Sequence, residues 1–285
     1  MQRLTINHLT EYRYASPVTL GTHRLMLRPR EGHDVHIETS RLDIYPTASI
    51  HWHRDAFDNS VAVATFANAA DRLSITSEVV IEHYEEAPLD FVVADYAASY
   101  PFLYTAEERV ELLPYQQLAY PNDQDALRDW VGSLGIAQGP METYALLDQM
   151  NRAMVGQFTY VIREEAGVQP PSRTLADRRG SCRDYAALFV EACRFLGLAS
   201  RFVSGYLHAP ATEAGNAATH AWAEVYLPGP GWKGFDPTSG EITGINHIAV
   251  AVARHPESVP PVSGTYTGPV EPVPTLLVDV RVRKL

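Results

Sequence analysis

The chain has 285 residues, 46% of them hydrophobic and 20% charged, an ordinary globular composition that allows one large domain or two. Its formal net charge is -11 and no stretch concentrates Lys or Arg, which argues against nucleic acid and against an anionic membrane surface as partners. The opening residues Met1–His8 carry no apolar leader, and no apolar run would span a bilayer. With only Cys182 and Cys193 as cysteines, this predicts a reduced, cytoplasmic protein.

In chain order, residues 1–85 read as short β-strands. Leu4–His8, Val35–Glu38, Leu42–Tyr45, Val61–Phe66 and Leu73–Glu82 alternate, with turns such as Asp58-Asn59-Ser60 between them. The pattern predicts an antiparallel, sandwich-like β domain. Residues 86–122 form a connector with Pro88, Pro101, Pro114 and Pro121, rich in Tyr and Leu and expected to pack rather than swing. Helical periodicity begins at Asn122-Asp123 and reaches Gly135, and a second helix is predicted from Pro140 to about Val155. Phe158–Val161 reads as a short strand.

A helix from Cys182 to Leu196 carries Ala186, Phe189, Val190, Cys193 and Leu196 as an apolar stripe and stops at Gly197. Cys182 and Cys193 would lie roughly 16 Å apart on it at about 1.5 Å per residue, beyond the reach of a disulfide. Strands are predicted at Ser200–Leu207, His220–Leu227 and Gly231–Phe235, the last two joined by a tight Pro/Gly turn. Residues 256–274 are rich in Pro and Gly, and an alternating strand, Leu276–Val282, closes a core of residues 123–285.

Three residues in this arrangement suit nucleophilic chemistry. Cys182 follows Gly180-Ser181 at the first turn of a helix, where free N–H groups and the helix dipole favour a thiolate. Cys193, on the apolar stripe, reads as a buried small hydrophobe. Alternation puts His220, Trp222, Glu224 and Tyr226 on one face of their strand, and Ala221, Ala223, Val225 and Leu227 on the other. His220 is the candidate general base. Asp236, ending the next strand, is the candidate orienting carboxylate, with Asp184 as its competitor. Trp222, Glu224 and Asp184 are candidate substrate-groove residues. The loop from His208 to Thr219, with Glu213 and Asn216, is placed to overhang that groove. His51-Trp52-His53 puts two histidines on one side of a strand, but no Cys-x-x-Cys or His-x-x-x-His accompanies them, so no metal is predicted.

The blocks Leu175–Ala186, Ala192–Leu207, His220–Tyr226 and Gly231–Thr238 together resemble the transglutaminase-like superfamily, in a bacterial subgroup with an N-terminal β domain. His247–Ala251 and Pro260–Tyr266 are similar to its C-terminal segment. The resemblance implies an α+β fold, with a papain-like core after the β domain, and a triad of Cys182, His220 and Asp236. The Cys182 N–H and Tyr160 are then the oxyanion candidates. No Asp-x-Asp-x-Asp-Gly loop is present, so calcium is not carried over and no cofactor is expected. The expected activity is acyl transfer on a peptide or protein amide, with hydrolysis ahead of transfer to an amine. A silent peptide-binding module is the alternative.

Overall fold

The computed structural model describes residues 1–136, 139–163, 165–214, 219–269 and 273–285. Five strands come first: β1 (Gln2–Leu25), β2 (Val35–Tyr45), β3 (Ala48–Arg54), β4 (Ser60–Phe66) and β5 (Ala70–His83). Then follow β6 (Ser99–Tyr100), α1 (Ala106–Gln116), α2 (Gln124–Ser133), β7 (Met141–Glu142), α3 (Thr143–Gln157), β8 (Thr159–Tyr160), α4 (Pro171–Asp177) and β9 (Arg179–Gly180). The remainder comprises α5 (Cys182–Phe195), β10 (Ser200–Leu207), α6 (Pro210–Ala214), β11 (His220–Leu227), β12 (Gly231–Asp236), β13 (Glu241–Ile242), β14 (His247–Ala253), β15 (Val262–Thr267) and β16 (Thr275–Lys284). None of the described helices is long and apolar enough to cross a membrane.

β1 organises the N-terminal sheet. Its first half alternates buried Leu4, Ile6, His8 and Thr10 with more exposed residues and pairs with β5 from Gln2 to Arg13. The register then shifts between Arg13 and Val18, around Pro17, which has no N–H to give to a ladder. Beyond the shift, His23–Leu25 pairs with β4. The sheet therefore runs β2-β5-β1-β4-β3 and curls towards a barrel about this one strand. Ala15-Ser16-Pro17 reads as a break in the sequence, which hides the length of β1.

The chain's last strands return to this sheet. Leu4–Arg13 of β1 lie opposite Thr275–Lys284 of β16, and Thr19–Leu25 opposite β15. The closing strand, grouped by sequence with the catalytic core, thus belongs to the N-terminal sheet. Alternation identifies such a strand but carries no information about its partner, and Val280 and Val282 bury against the N-terminal strands. The connector also holds more structure than its composition suggests. Thr105 and Glu108 form a capping box that starts α1, and Pro114 falls late in that helix, where it reads as a breaker.

The core sheet is antiparallel in the order β13-β12-β11-β10-β14. Helix α5 packs on one face of it. Phe189 stacks on Phe235 at 5.7 Å, and Ala221, Ala223, Val225 and Leu227 of β11 share a buried cluster with Tyr185, Leu188 and Ala192. That same cluster takes in Leu4, Ile6, Val79, Ile81, Val280 and Val282 from the N-terminal sheet. Polar contacts join the two sheets as well. Asn59 exchanges two 2.8 Å hydrogen bonds with the backbone of Val252, and His83 Nδ1 donates to the Ile245 carbonyl at 2.6 Å.

Candidate active site

Cys182 is the first residue of α5, so its N–H has no acceptor within the helix. The preceding Ser181 is the N-cap, in a capping box with Asp184. Asp184 is fully buried and used up locally. Its Oδ2 accepts from Ser181 N and Oγ, both at 2.8 Å, and its Oδ1 accepts from Arg163 Nη1 at 2.7 Å and Gln169 N at 2.8 Å. This carboxylate fixes the helix start and ties Arg163 and Gln169 to it. It does not reach His220's acid partner position, and it does not line a groove.

The other two members arrive on neighbouring strands. β11 begins at His220 and β12 ends at Asp236, and the pairing of Ala223 with Phe235 brings their ends together. His220 Nε2 and Asp236 Oδ2 are 2.8 Å apart, both side chains largely buried. The ring's other nitrogen, Nδ1, is left free of Asp236, and Cys182 lines the same cavity as the ring. Burial alone would lower the His220 pKa, but hydrogen bonds with Asp236 and Cys182 and their negative charge raise it to about 10. Burial would likewise raise the Asp236 carboxyl, yet hydrogen bonds from His220 and His247 hold it far below the ordinary carboxylate range.

Tyr160 approaches from the far side of the cysteine. β8 pairs in parallel with β9, which sets Tyr160 opposite Gly180, two residues before Cys182. It lines the same cavity as the thiol, and burial and then Cys182 push its pKa up to about 12. It stays a neutral donor at physiological pH.

Cys182, His220 and Tyr160 face a cavity of about 550 Å³. Phe202, Ser204 and Ala221 form its floor, Ile162, Arg163 and Ala166–Val168 one wall, and Pro256, Val259, Pro260 and Pro261 the other. The two walls meet where Val168 N–H donates to Glu257 at 3.3 Å. Sequence reasoning put the groove on the His220, Trp222 and Glu224 face, and the structure corrects this. The cavity lies on the α5 side of the sheet, where the small Ala221 and Ser204 leave room. Trp222 is buried on the opposite face with Val203 and Val252. Glu224 is bound to Arg201 at 2.6 Å, on a second cavity. The His208–Thr219 loop departs from expectation too. Its described part forms α6, and Arg283 of β16 donates to the Glu213 carbonyl at 3.1 Å, so α6 sits against the N-terminal sheet. Asn216 lies outside the described residues.

Two features escaped the sequence. The two walls look like plain loops, although Pro256, Pro260 and Pro261 mark rigid chain in the second. In the sequence, His247 was visible only as the first residue of a block similar to the family's C-terminal segment. In the structure its Nε2 is 3.2 Å from Asp236 Oδ2. His220, Asp236 and His247 place their ligand atoms within 4.8 Å of one another, the group that could hold a metal ion among the described residues. The 2.8 Å and 3.2 Å separations lie within hydrogen-bond range. His51 and His53 are exposed on β3.

Residues 4–82 match the bacterial transglutaminase-like N-terminal region, and residues 133–237 match the transglutaminase-like superfamily. An uncharacterized protein of Mycobacterium tuberculosis is 30% identical over 297 residues, covering 98% of this chain and 92% of that protein. A second, from Mycobacterium leprae, is 24% identical over 275 residues and covers 94% of each. The crystal structure of a candidate cysteine protease from Cytophaga hutchinsonii superposes with a TM-score of 0.74 at 17% identity, over 100% of this chain and 91% of that one.

Proposed function

Because the chain belongs to the transglutaminase-like superfamily, we propose that it is a cysteine-dependent acyl-transfer enzyme acting on an amide or peptide bond, with Cys182, His220 and Asp236 as its triad. The observation that carries this reading is the geometry around His220. One ring nitrogen is held by a buried carboxylate at 2.8 Å, the other faces a partly exposed thiol at a helix N-terminus, and all of it opens on a cavity. In the mechanism, His220 Nδ1 takes the Cys182 proton and the thiolate attacks the substrate carbonyl. The Cys182 N–H and the Tyr160 hydroxyl then face the developing oxyanion. The C–N bond breaks as the leaving amine takes the proton from His220. Water, activated by the same imidazole, hydrolyses the thioester and regenerates the thiol.

We place hydrolysis ahead of amine transfer because the groove is solvent-open beside the thiol, so water reaches the thioester without a dedicated acceptor site. The Cytophaga neighbour's description as a candidate cysteine protease agrees with a peptide or protein amide as substrate. Incubation with a peptide panel and a labelled primary amine, read by mass, tests both. Cleaved or deamidated peptides should dominate over amine adducts, and Cys182→Ala should abolish both products. Predominant amine incorporation would reverse the order, and no turnover across a broad panel would overturn the proposal.

A further inference from the structure

We propose that His247 is a positioning residue of this site. By donating a second hydrogen bond to Asp236 it fixes the carboxylate that holds His220, and it is itself set by contact between the N-terminal sheet and the loop before β14. The inference rests on reading Cys182, His220 and Asp236 as the triad.

Asp236 is held from three directions. Its Oδ2 accepts from His220 Nε2 at 2.8 Å and from His247 Nε2 at 3.2 Å, while its Oδ1 accepts from Thr238 N at 2.9 Å. With donors on both oxygens the carboxylate cannot rotate away from the imidazole. Without His247, Oδ2 would face His220 alone in a buried place, where each donor to a charged acceptor counts heavily. The role of His247 as donor is fixed by its other nitrogen. Gly244 N–H points at His247 Nδ1 at 3.4 Å, so Nδ1 accepts and the proton resides on Nε2.

The ring's orientation is fixed by packing. The His247 ring meets Trp222 edge to face, 5.4 Å between centroids at 78°, and Trp222 also lies 6.2 Å from His220. The loop leading into His247 is pinned twice. His83, the last residue of β5, donates to the Ile245 carbonyl at 2.6 Å, and His208 N donates to the Asn246 carbonyl at 2.8 Å. The N-terminal sheet thereby touches the chain two residues before His247, which gives that sheet a part in active-site geometry. Besides Asp236 and His220, the titratable groups near His247 are His83 from β5 and, around the shared polar cavity, Arg30, Glu31, His33, Asp34, Glu85, Arg201, Glu224 and Lys233.

A residue that only packs would alter stability and leave the titration of His220 where it is. The test therefore reads the alkylation rate of Cys182 by iodoacetamide against pH in the full-length protein, with the site assigned by peptide mass. His247→Phe keeps the ring against Trp222 but has no donor. It should displace the alkaline inflection governed by His220 by about one pH unit, the scale of one lost hydrogen bond to a charged group. His247→Gln restores a donor and should recover most of that shift. If His220→Gln changes the profile while His247→Phe overlays the unmodified protein, the positioning role is wrong and the triad stands. If His220→Gln leaves the profile unaltered, the triad reading itself has failed. Should His247→Phe not fold, imidazole ¹⁵N spectra of the unmodified protein decide. His247 should be the Nε2–H tautomer with a downfield, carboxylate-bonded proton, and an Nδ1–H tautomer would overturn the inference.

Discussion

Cys182 and Cys193 lie on one helix and differ entirely in surroundings. Cys193 is fully buried, and burial pushes its thiol well above the ordinary range, so it stays protonated and inert. Cys182 is partly exposed, with an imidazole beside it. That imidazole also ties activity to stability. His220 has a folded pKa raised from 6.5 to about 10, so its stabilising contribution is complete below about pH 6.5 and is lost as pH climbs through about 10. Asp236 is ionised throughout that window, since its own value is depressed. The difference in unfolding free energy between the unmodified protein and His220→Gln should therefore shrink steadily from neutral pH to about pH 10 in urea titrations. A difference independent of pH would mean that His220 is not held as an imidazolium.

Among the elements, the strands and helix that carry Cys182, His220 and Asp236 were the most legible in the sequence. α5, β10, β11 and β12 each show a clean period and a clear stop, and β10 and β11 begin and end where the alternation places them. What alternation could not tell is which face of β11 meets α5. The larger polar-tipped side chains were taken for the groove wall; of these His220 does face the cavity, while Trp222 and Glu224 belong to the opposite side. The seat of Trp222 shows why size misled. Gly205 lies opposite His220 in the β10–β11 ladder, at a register shift towards β14, and the Trp222 ring crosses the space above it. A Cβ there would collide with the Ile248 carbonyl and come within 2.6 Å of the indole. Gly205→Ala should thus push Trp222 against His220 and His247. The expected cost is about 1–3 kcal/mol in urea denaturation, as for other overpacked sites, with a fall in Cys182 alkylation rate. An unchanged midpoint would show that the sheet opens here at no cost.

For the whole molecule, the return of β16 to β1 makes the ends of the chain structural partners. The transglutaminase-like core is thereby inserted between strands of one sheet, and Val280 and Val282 bury in the cluster that also contains α5. A linear reading divides such a chain into successive domains, because nothing in an alternating strand names a partner 270 residues away. The shared cluster predicts that the N-terminal sheet and the core unfold together. The four tryptophans allow the test, since Trp52 lies exposed on β3 and Trp232 is half-buried, while Trp130 and Trp222 are buried in the core. Replacing Val280 and Val282 by Ala leaves cavities costing on the order of 2 kcal/mol each. Although both positions lie in the N-terminal sheet, the loss should appear equally in the fluorescence of the core tryptophans and in far-UV circular dichroism, as one coincident transition at a lower denaturant midpoint. An early loss of β signal with the core tryptophans still buried would instead show a sheet that melts by itself. In that case the contact from His83 to the loop before His247 could be broken without unfolding the site, and Cys182 alkylation measured between the two transitions would read the effect of that contact directly.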